Sequence, residues 1–332
     1  MTTLSDRLKN REIILLDGGV STEIQKRGVS MDEDVWSGIA HRTHPEITLQ
    51  VHEDYIRAGA QVITANTYST ARHVLESIDL GGEVRAINTE AVLRALEGRG
   101  PDDRGCWRES GRSDGLELLH TRLAIQDCSP LGHQPMVASD SGLVLVFNGE
   151  IYNQQELRKQ LEQKGYSFRS HCDTEVLLQG FRHWCPDVWA RLNGIFAAAC
   201  WETGSRRLTL ARDRFGVKPL LWKRDRDGRC AFASELSALQ ASGCMGGARI
   251  HQHALTSYRL WGAIAGPLSL IEGIESLPAG HTAVREQGGQ WSVQAFTTQA
   301  PISTAPQNWT LASATTAVGD ALEQAITRQS IG

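Results

Sequence analysis

The chain has 332 residues, a formal net charge of −4 and 41% hydrophobic residues, which is typical of a globular protein with about two domains. The charge excludes the strongly basic surface of a nucleic-acid-binding protein, and no apolar run is long enough to cross a bilayer. The seven cysteines are odd in number and form no CxxC pair, so we expect reduced thiols in a cytoplasmic protein.

The first ninety residues alternate between predicted strands and helices. Residues 13–16 in "REIILLDGG" form a predicted buried strand, and "STEIQKRG" is a short helix with Ser21 as N-cap and Gly28 as its stop. A longer helix in "HPEITLQVHEDYIRAG" carries Val51 and Tyr55 on its apolar face. The second strand is "AQVITANTY", and "EVRAINTEAVLRALE" is a further helix. This alternation predicts a parallel α/β arrangement.

Several motifs in this segment resemble one known family. "LLDGGVSTEIQKRG", "HEDYIRAGAQVITANTYST" and "AINTEAV" look like the opening of homocysteine S-methyltransferases, over about 11–96. The resemblance implies a (β/α)8 barrel that binds homocysteine sulfur to a zinc held by cysteines. By it, Asp17, Gly18, Gly19 and Trp36 line a homocysteine pocket. Only two βα units of the eight are present, and the zinc cysteines belong to the absent part, so we expect a zinc-less remnant without methyl transfer.

The pattern changes after Arg99, where short apolar strands follow one another with turns between them. Two helices interrupt the strands: "NQQELRKQLEQKG", capped by Asn153, and "DTEVLLQGFRHW", which starts at Asp173. Hairpin-like strands with two helices predict an α+β fold with an antiparallel αββα sandwich. The predicted strands are 120–125, 142–149, 194–202, 207–213, 219–224 and 229–234.

The sharpest chemical motif is "FNGEIYN" at 147–153. Asn-Gly after an apolar strand is first of all a hairpin signal, but the amide of Asn148 and the N–H of Gly149 can also converge on one developing oxyanion. Arg122 suits a bidentate grip on a carboxylate, and Glu150 and Asp173 can accept from an ammonium. Together these groups describe a site for glutamine.

The motifs "HTRLAIQDCSPLGHQPM", "LVFNGEIYN", "SHCDTEVLL" and "ARDRFGVKPL" resemble glutamine-hydrolysing asparagine synthase, in its N-terminal class II glutamine amidotransferase domain. The resemblance spans about 91–296 and implies a fold of the N-terminal-nucleophile hydrolase type. By it, Arg122 binds the α-carboxylate of glutamine, Glu150 and Asp173 bind its α-amine, and Asn148 with Gly149 forms the oxyanion hole. We therefore expect a chimeric chain whose seam lies near 93–98, with the glutaminase domain at 97–296.

The family's nucleophile is a cysteine directly after the initiator methionine, whose freed amine acts as base. Here Thr2 stands in that place, and Cys106 and Cys172 are internal thiols without a free amine. After a linker at 297–310, residues 311–332 resemble the first helix of a truncated synthetase domain, with Val318 and Leu322 on one face. We expect ATP and magnesium only for the absent synthetase part, and no cofactor on this chain.

Three functions remain open on the sequence alone. The chain is a glutaminase whose nucleophile comes from elsewhere, a module that binds glutamine without cleaving it, or a fusion fragment with no evolved activity. Its expected partners are glutamine and either a second copy in a homodimer or a separate synthetase domain, with no nucleic acid and no membrane. "HRTH" at 41–44 and "HQH" at 251–253 offer two histidines each without a third ligand, so no metal is expected.

Overall fold

A computed structural model describes residues 19–30, 40–58, 84–111, 115–225, 229–244, 249–286, 290–296 and 310–329. The chain divides into two compact units. The first comprises Met1–Gly98 and Ala231–Ile274, and the second comprises Arg99–Cys230 and Glu275–Gly332. The predicted strands at 13–16 and in "AQVITANTY", together with Thr2, Asp17, Gly18 and Trp36, lie outside the described residues.

The described part of Met1–Gly98 is helical, and two further helices of the first unit lie in Ala231–Ile274. Its small core contains Ile24 and Val51, both fully buried, with Tyr55 packed against them, so the predicted apolar face of the longer helix is confirmed. Ser21 was predicted as N-cap, but the first helix begins at Val20 and Gly19 is its N-cap. The helices are α1 Val20–Lys26, α2 Ala40–Thr43, α3 Pro45–Arg57, α4 Val84–Leu96, α8 Leu236–Ala241 and α9 Gln252–Trp261.

A six-stranded antiparallel sheet is the centre of the second unit. Its strand order is β11-β10-β6-β5-β4-β3, and a separate two-stranded ladder pairs β1 with β2. This is the α+β class with antiparallel sheets that the sequence predicts. The strands are β1 Asp103–Arg108, β2 Glu117–Arg122, β3 Met136–Ala138, β4 Leu143–Ile151, β5 Gly194–Glu202, β6 Arg207–Arg212, β7 Leu221–Arg224, β8 Cys230–Ala233, β9 Ile274–Ser276, β10 His281–Arg285 and β11 Trp291–Ala295.

Helices cover one face of this sheet. Leu145 and Phe147 of β4 and Phe196 of β5 lie in one buried cluster with Leu161 and Phe181 from two helices. Alternate residues of a strand face the same side, so this cluster fixes which side chains of β4 point into the helical layer. The helices of this unit are α5 Gln154–Glu162, α6 Asp173–Trp184, α7 Val188–Arg191 and α10 Leu311–Gln329.

Three sequence predictions in this unit have informative outcomes. Helix α6 and strand β5 have the predicted bounds. The bounds predicted for the strand at 120–125 are wrong, because β2 is Glu117–Arg122 and Leu123, directly after it, is 56% exposed. Asn153 precedes α5 but makes no capping bond to that helix; its side chain instead donates to the carbonyl of Arg191, 3.0 Å away, and crosslinks the next loop.

One buried carboxylate organises the turn after β6. Asp213 is fully buried and accepts hydrogen bonds from the backbone N–H groups of Phe196, Phe215, Val217 and Lys218, at 3.0–3.2 Å. Charge-assisted bonds of this kind satisfy an ion that burial alone would destabilise. Because Phe196 is the partner of Gly149 across β5 and β4, this turn also fixes the strand pairing behind the "FNGEIYN" motif.

Helix α10 is exposed along its described length. Val318 and Leu322, which are predicted to share a face, and Ile326 one turn further on are 58–65% exposed. Within the described ranges, no helix is both long and apolar enough to span a membrane.

Candidate functional site

One edge of β4 presents backbone groups to the loops before it. In an antiparallel ladder, successive residues direct their N–H and C=O groups to opposite sides. Phe147 bonds to Gln134 and Ile151 donates to Asp173, so odd-numbered residues of β4 face away from β5. Gly149 lies between these two residues and is opposite Phe196, whose own N–H and C=O bond to Asp213. The N–H of Gly149 therefore points to the same edge.

Glycine is required at position 149 by the closeness of the neighbouring strand. A Cβ there would lie 2.1 Å from the carbonyl oxygen of Ile195 and 2.7 Å from the Cα of Phe196. Both contacts are with backbone, which cannot rotate away as a flexible side chain can. The predicted oxyanion residue Gly149 thus has a packing role besides any chemical one.

Gly149→Ala is expected to lower the free energy of unfolding by about 3 kcal/mol, at the upper end of the cost of overpacking. Urea denaturation, read as a change in midpoint at constant slope, measures it. Gly204→Ala is the matched control, because a Cβ at Gly204 meets nothing within 4 Å. Equal stability of the two variants would contradict the steric account.

Two side chains hold the main chain of Phe147. Gln134 accepts from the N–H of Phe147 at 2.6 Å and donates to its carbonyl at 3.1 Å. The Nε2 of His120 donates to the same carbonyl at 3.2 Å. Burial lowers the pKa of His120 to about 4, so this imidazole is neutral at physiological pH. Phe147 immediately precedes Asn148, so both side chains fix the start of the Asn-Gly pair.

Sequence reasoning gave His120 and Gln134 no role. His120 and Arg122 are two residues apart in β2, so their side chains lie on the same face of the strand. This period-2 spacing is the sequence signal that could have placed His120 near the site. Gln134 is buried, with only 5% of its surface exposed. The motif "HQPM" contains nothing that predicts a buried amide. Its function depends on a partner 13 residues away in the chain.

Asp173 begins α6 directly against the edge of β4. Its Oδ2 accepts from the N–H of Ile151 at 3.0 Å, and the residue is only 6% exposed. Burial raises the pKa of Asp173 to about 6, and the nearby charge of Glu150 raises it further. The charge of Glu150 acts on Asp173, so the two carboxylates repel each other, and a bound cation would relieve this repulsion.

A second carboxylate holds the loop that leads into α6. Glu175 accepts from the backbone N–H groups of Arg169 and Ser170 at 2.7–3.1 Å, and from the Ser170 hydroxyl at 2.6 Å. Glu175 is in the first turn of α6, so these bonds tie residues 169 and 170 to the start of the helix, while its N-cap residue Cys172 makes no side-chain capping bond. The loop that precedes Asp173 is thereby rigid.

Arg122 ends β2 and its guanidinium is fixed by the next loop. It donates to the carbonyl oxygens of Asp127 and Ser129, the latter at 3.1 Å. It also packs on Gly132, where a Cβ would lie 2.1 Å from Nη2. A guanidinium has five N–H donors, and these bonds use two of them. Arg122 is therefore preorganised for a further anionic partner.

Asp127 connects the Arg122 loop to the start of α6. Its carbonyl accepts from Arg122, and its Oδ2 accepts from the N–H of His171 at 2.9 Å. His171 is two residues before Asp173. The predicted site residues Arg122, Asn148, Gly149, Glu150 and Asp173 thus lie on three segments that hydrogen bonds join; Gly19 is described only as the N-cap of α1.

The two cysteines considered as nucleophiles are not activated. The thiol of Cys172 is buried, 2.9 Å from the Ser170 hydroxyl, and burial raises its pKa. Cys106 donates to Glu117 at 3.6 Å, and partial burial followed by the charge of Glu117 raises its pKa as well. A thiol with a raised pKa carries little of the reactive thiolate at neutral pH.

The described residues offer no cluster of ligands for a metal ion. Among the residues that the structure describes, no group of three or more His, Cys, Asp or Glu side chains is arranged to hold a metal ion. His251 and His253 contact each other through their rings, with centroids 5.8 Å apart.

Two protein families match consecutive parts of this sequence. The family described as "Glutamine amidotransferase domain" matches residues 80–297, about two thirds of the chain. The family described as "Homocysteine S-methyltransferase" matches residues 14–107. The two matches overlap at 80–107, which includes the predicted seam at 93–98.

Curated relatives named asparagine synthetase are similar to part of the chain. Asparagine synthetase [glutamine-hydrolyzing] 3 of Bacillus subtilis is 39% identical over 154 residues, which is 46% of this chain and 24% of the relative. Asparagine synthetase B [glutamine-hydrolyzing] of Escherichia coli is 36% identical over 148 residues, 45% of this chain and 26% of the relative. This chain therefore spans about a quarter of the length of these relatives.

Solved structures were also found to be similar. Glutamine phosphoribosylpyrophosphate amidotransferase from Bacillus subtilis has a TM-score of 0.46 and 18% identity, over 64% of this chain and 47% of that one.

Proposed function

The chain belongs to the glutamine amidotransferase domain family, in the version that glutamine-hydrolysing asparagine synthetases carry, and on that premise we propose that its second unit binds L-glutamine. The observation that carries the proposal is the junction of three segments. Arg122 ends one, the β4 edge at 148–150 forms another, and Asp173 begins the third. Each segment offers the polar group that one end of glutamine requires.

The proposed roles follow from charge and geometry. The Arg122 guanidinium, held by two carbonyl oxygens, binds the α-carboxylate of glutamine. Glu150 and Asp173, which repel each other, bind the α-ammonium group. The side-chain amide of Asn148 and the N–H of Gly149 receive the oxygen of the glutamine amide, because the two residues are adjacent in β4 and the N–H of Gly149 points to the edge where Asp173 binds Ile151.

We extend the proposal to the chemistry of the site. The thiols of Cys106 and Cys172 have raised pKa values and bond to Glu117 and Ser170, so neither is arranged to attack an amide at the β4 edge. The function that this geometry supports best is glutamine binding without rapid hydrolysis. The alternative, a glutaminase of the asparagine synthetase type, requires a nucleophile other than the thiols of Cys106 and Cys172.

Isothermal titration calorimetry of the full chain with L-glutamine tests the proposal. We expect L-glutamine to bind and D-glutamine not to bind. The carboxylate and ammonium subsites lie on different segments, so together they select one configuration at the α-carbon. No heat of binding from either enantiomer, at concentrations up to tens of millimolar, would overturn it.

Glutamine affinity is expected to rise with pH between 5 and 7. Asp173 has a pKa of about 6 in the ligand-free site, so below that value it is largely protonated and attracts an ammonium weakly. Binding must then release a proton, and the dissociation constant should increase by up to about tenfold for each unit below pH 6. Between pH 7 and pH 8 the affinity should be constant, because Asp173 is then ionised and the ammonium group of free glutamine keeps its proton.

The control for this pH dependence is Asp173→Asn, which keeps the shape of the side chain and removes its charge. It should bind glutamine weakly and equally at pH 5 and pH 7. A wild-type affinity that does not change between these values would show that Asp173 is not part of the ammonium subsite.

A further inference from the structure

We propose that Gln134 is a positioning residue that sets the preference of the site for a side-chain amide. This inference rests on the proposed function and deepens it. Gln134 belongs to none of the three segments assigned to the ligand, yet it contacts two of them. Its effect is expected on the discrimination between glutamine and amino acids that lack the amide.

The amide of Gln134 pairs with Phe147 as a neighbouring strand would. Its Oε1 accepts from the N–H of Phe147 at 2.6 Å, and its Nε2 donates to the carbonyl at 3.1 Å. Strand β3 pairs with β4 only from Leu143 to Leu145, so Gln134 continues that ladder with a side chain. It thereby extends the order of β4 towards Asn148.

The peptide that Gln134 fixes is the one that joins Phe147 to Asn148. Its carbonyl accepts from both Gln134 and His120, at 3.1 and 3.2 Å. Because a peptide is planar, two donors on the carbonyl fix the direction of the N–H and the Cα of Asn148 as well. The orientation of the Asn148 side chain, and of Gly149 after it, depends on this plane.

Gln134 also joins this peptide to the ammonium end of the site. Its Nε2 lies 3.3 Å from the hydroxyl of Thr174, which directly follows Asp173 in α6. An amide nitrogen has two hydrogens, and the two acceptors Phe147 O and Thr174 Oγ1 use both. The amide is thus fully engaged with protein groups, so it acts through Asn148 and Asp173 and does not itself contact the ligand.

The decisive measurement compares L-glutamine with L-norvaline, which keeps the α-carboxylate, the α-amine and the chain length but has a methyl group in place of the amide. Gln134→Leu removes the hydrogen bonds at similar volume. It should lower the ratio of the two affinities about tenfold, the effect of about one lost hydrogen bond to the ligand amide. A general loss of stability would weaken both ligands equally and leave the ratio unchanged.

Gln134→Glu is the second variant, and it has a built-in rescue. A carboxylate at this position accepts from the N–H of Phe147 but repels its carbonyl, whereas the protonated acid restores a donor. The affinity ratio should therefore be low at pH 7.5 and recover towards the wild-type value at pH 5.5. Titration of Asp173 acts on the α-amine subsite, which both ligands share, so it cancels in the ratio. His120, whose pKa burial lowers to about 4, stays neutral over this range.

Glu202→Gln is the matched structural control. Glu202 ends β5 and bonds to Arg207. It is opposite Leu143, the first residue of β4, and so lies at the end of the β4–β5 pair away from Asn148. This variant should lose stability without any change in the affinity ratio. If it changes the ratio as much as Gln134→Leu does, the role of Gln134 is only structural and the inference fails.

The outcomes separate this inference from the proposed function. If the wild type binds glutamine, and both Gln134 variants keep the wild-type ratio at every pH, the positioning role is overturned and the proposed function stands. If Gln134→Leu does not fold, the recovery of Gln134→Glu at pH 5.5 decides. If the wild type binds no glutamine, both proposals fail together.

Discussion

Arg122→Ala is expected to weaken glutamine binding by at least about 100-fold. Removing one partner of a buried charge pair costs on the order of 3–5 kcal/mol, and each 1.4 kcal/mol is tenfold in affinity. The guanidinium is fixed by the carbonyl oxygens of Asp127 and Ser129 and lies against Gly132, so its binding geometry exists before the ligand arrives. Calorimetric titration of both proteins measures the effect.

The ligand itself provides a cross-check on this assignment. 4-Aminobutanamide is glutamine without its α-carboxylate, so it should bind the wild type about as weakly as glutamine binds Arg122→Ala. Arg122→Ala should not weaken the binding of 4-aminobutanamide further. If the variant loses both ligands equally, Arg122 supports the loop at 127–132 and does not bind the carboxylate.

Two further variants separate charge from geometry. Arg122→Lys keeps the positive charge but cannot bond to two carbonyl oxygens and a carboxylate in one plane, so it should bind glutamine with intermediate affinity. The Arg108 side chain is 43% exposed and pairs with Glu117 on the neighbouring strand. Arg108→Ala should therefore leave the affinity for glutamine unchanged. An equal loss in Arg108→Ala would point to the overall field of the protein.

The sequence predicts much of the framework of this site because its signals are local. Helix α6 begins at the predicted Asp173, and the apolar run of β5 has the predicted bounds, since each is decided by neighbouring residues. The error at β2 arose because Leu123 and Ile125 are apolar but exposed, so alternation extended the strand too far. Pairing with β1, where Asp103 is opposite Arg122, ends it earlier.

The tertiary contacts of the site had no local signal. Gln134 bonds to Phe147 and Thr174, 13 and 40 residues away, and nothing in its own segment specifies either partner. The raised pKa of Asp173 arises from burial beneath β4, which composition does not predict. Residue types could therefore be assigned to a glutamine site from sequence, whereas the groups that hold them in place required the fold.

The full chain is expected to release ammonia from glutamine at a rate on the order of 10⁻⁵ s⁻¹. Loss of a nucleophile from an acyl-transfer site costs on the order of 10⁶ in turnover, relative to an ordinary rate of about 10 s⁻¹. The thiols of Cys106 and Cys172 have raised pKa values and are engaged with Glu117 and Ser170, so neither replaces that nucleophile. Asn148 and Gly149 alone would retain only a modest acceleration.

Glutamate production over several hours measures this rate, with the Escherichia coli relative asparagine synthetase B [glutamine-hydrolyzing] as positive control. Cys106→Ala, Cys172→Ala and Thr2→Ala should all equal the wild type, because none of these side chains is expected to attack the amide. Wild-type turnover near 1 s⁻¹ or above would overturn the assignment. The single variant that then lost activity would identify the nucleophile. Glutamine binding and the oxyanion pair cannot reach that rate without an attacking group, so its removal is the change that abolishes turnover.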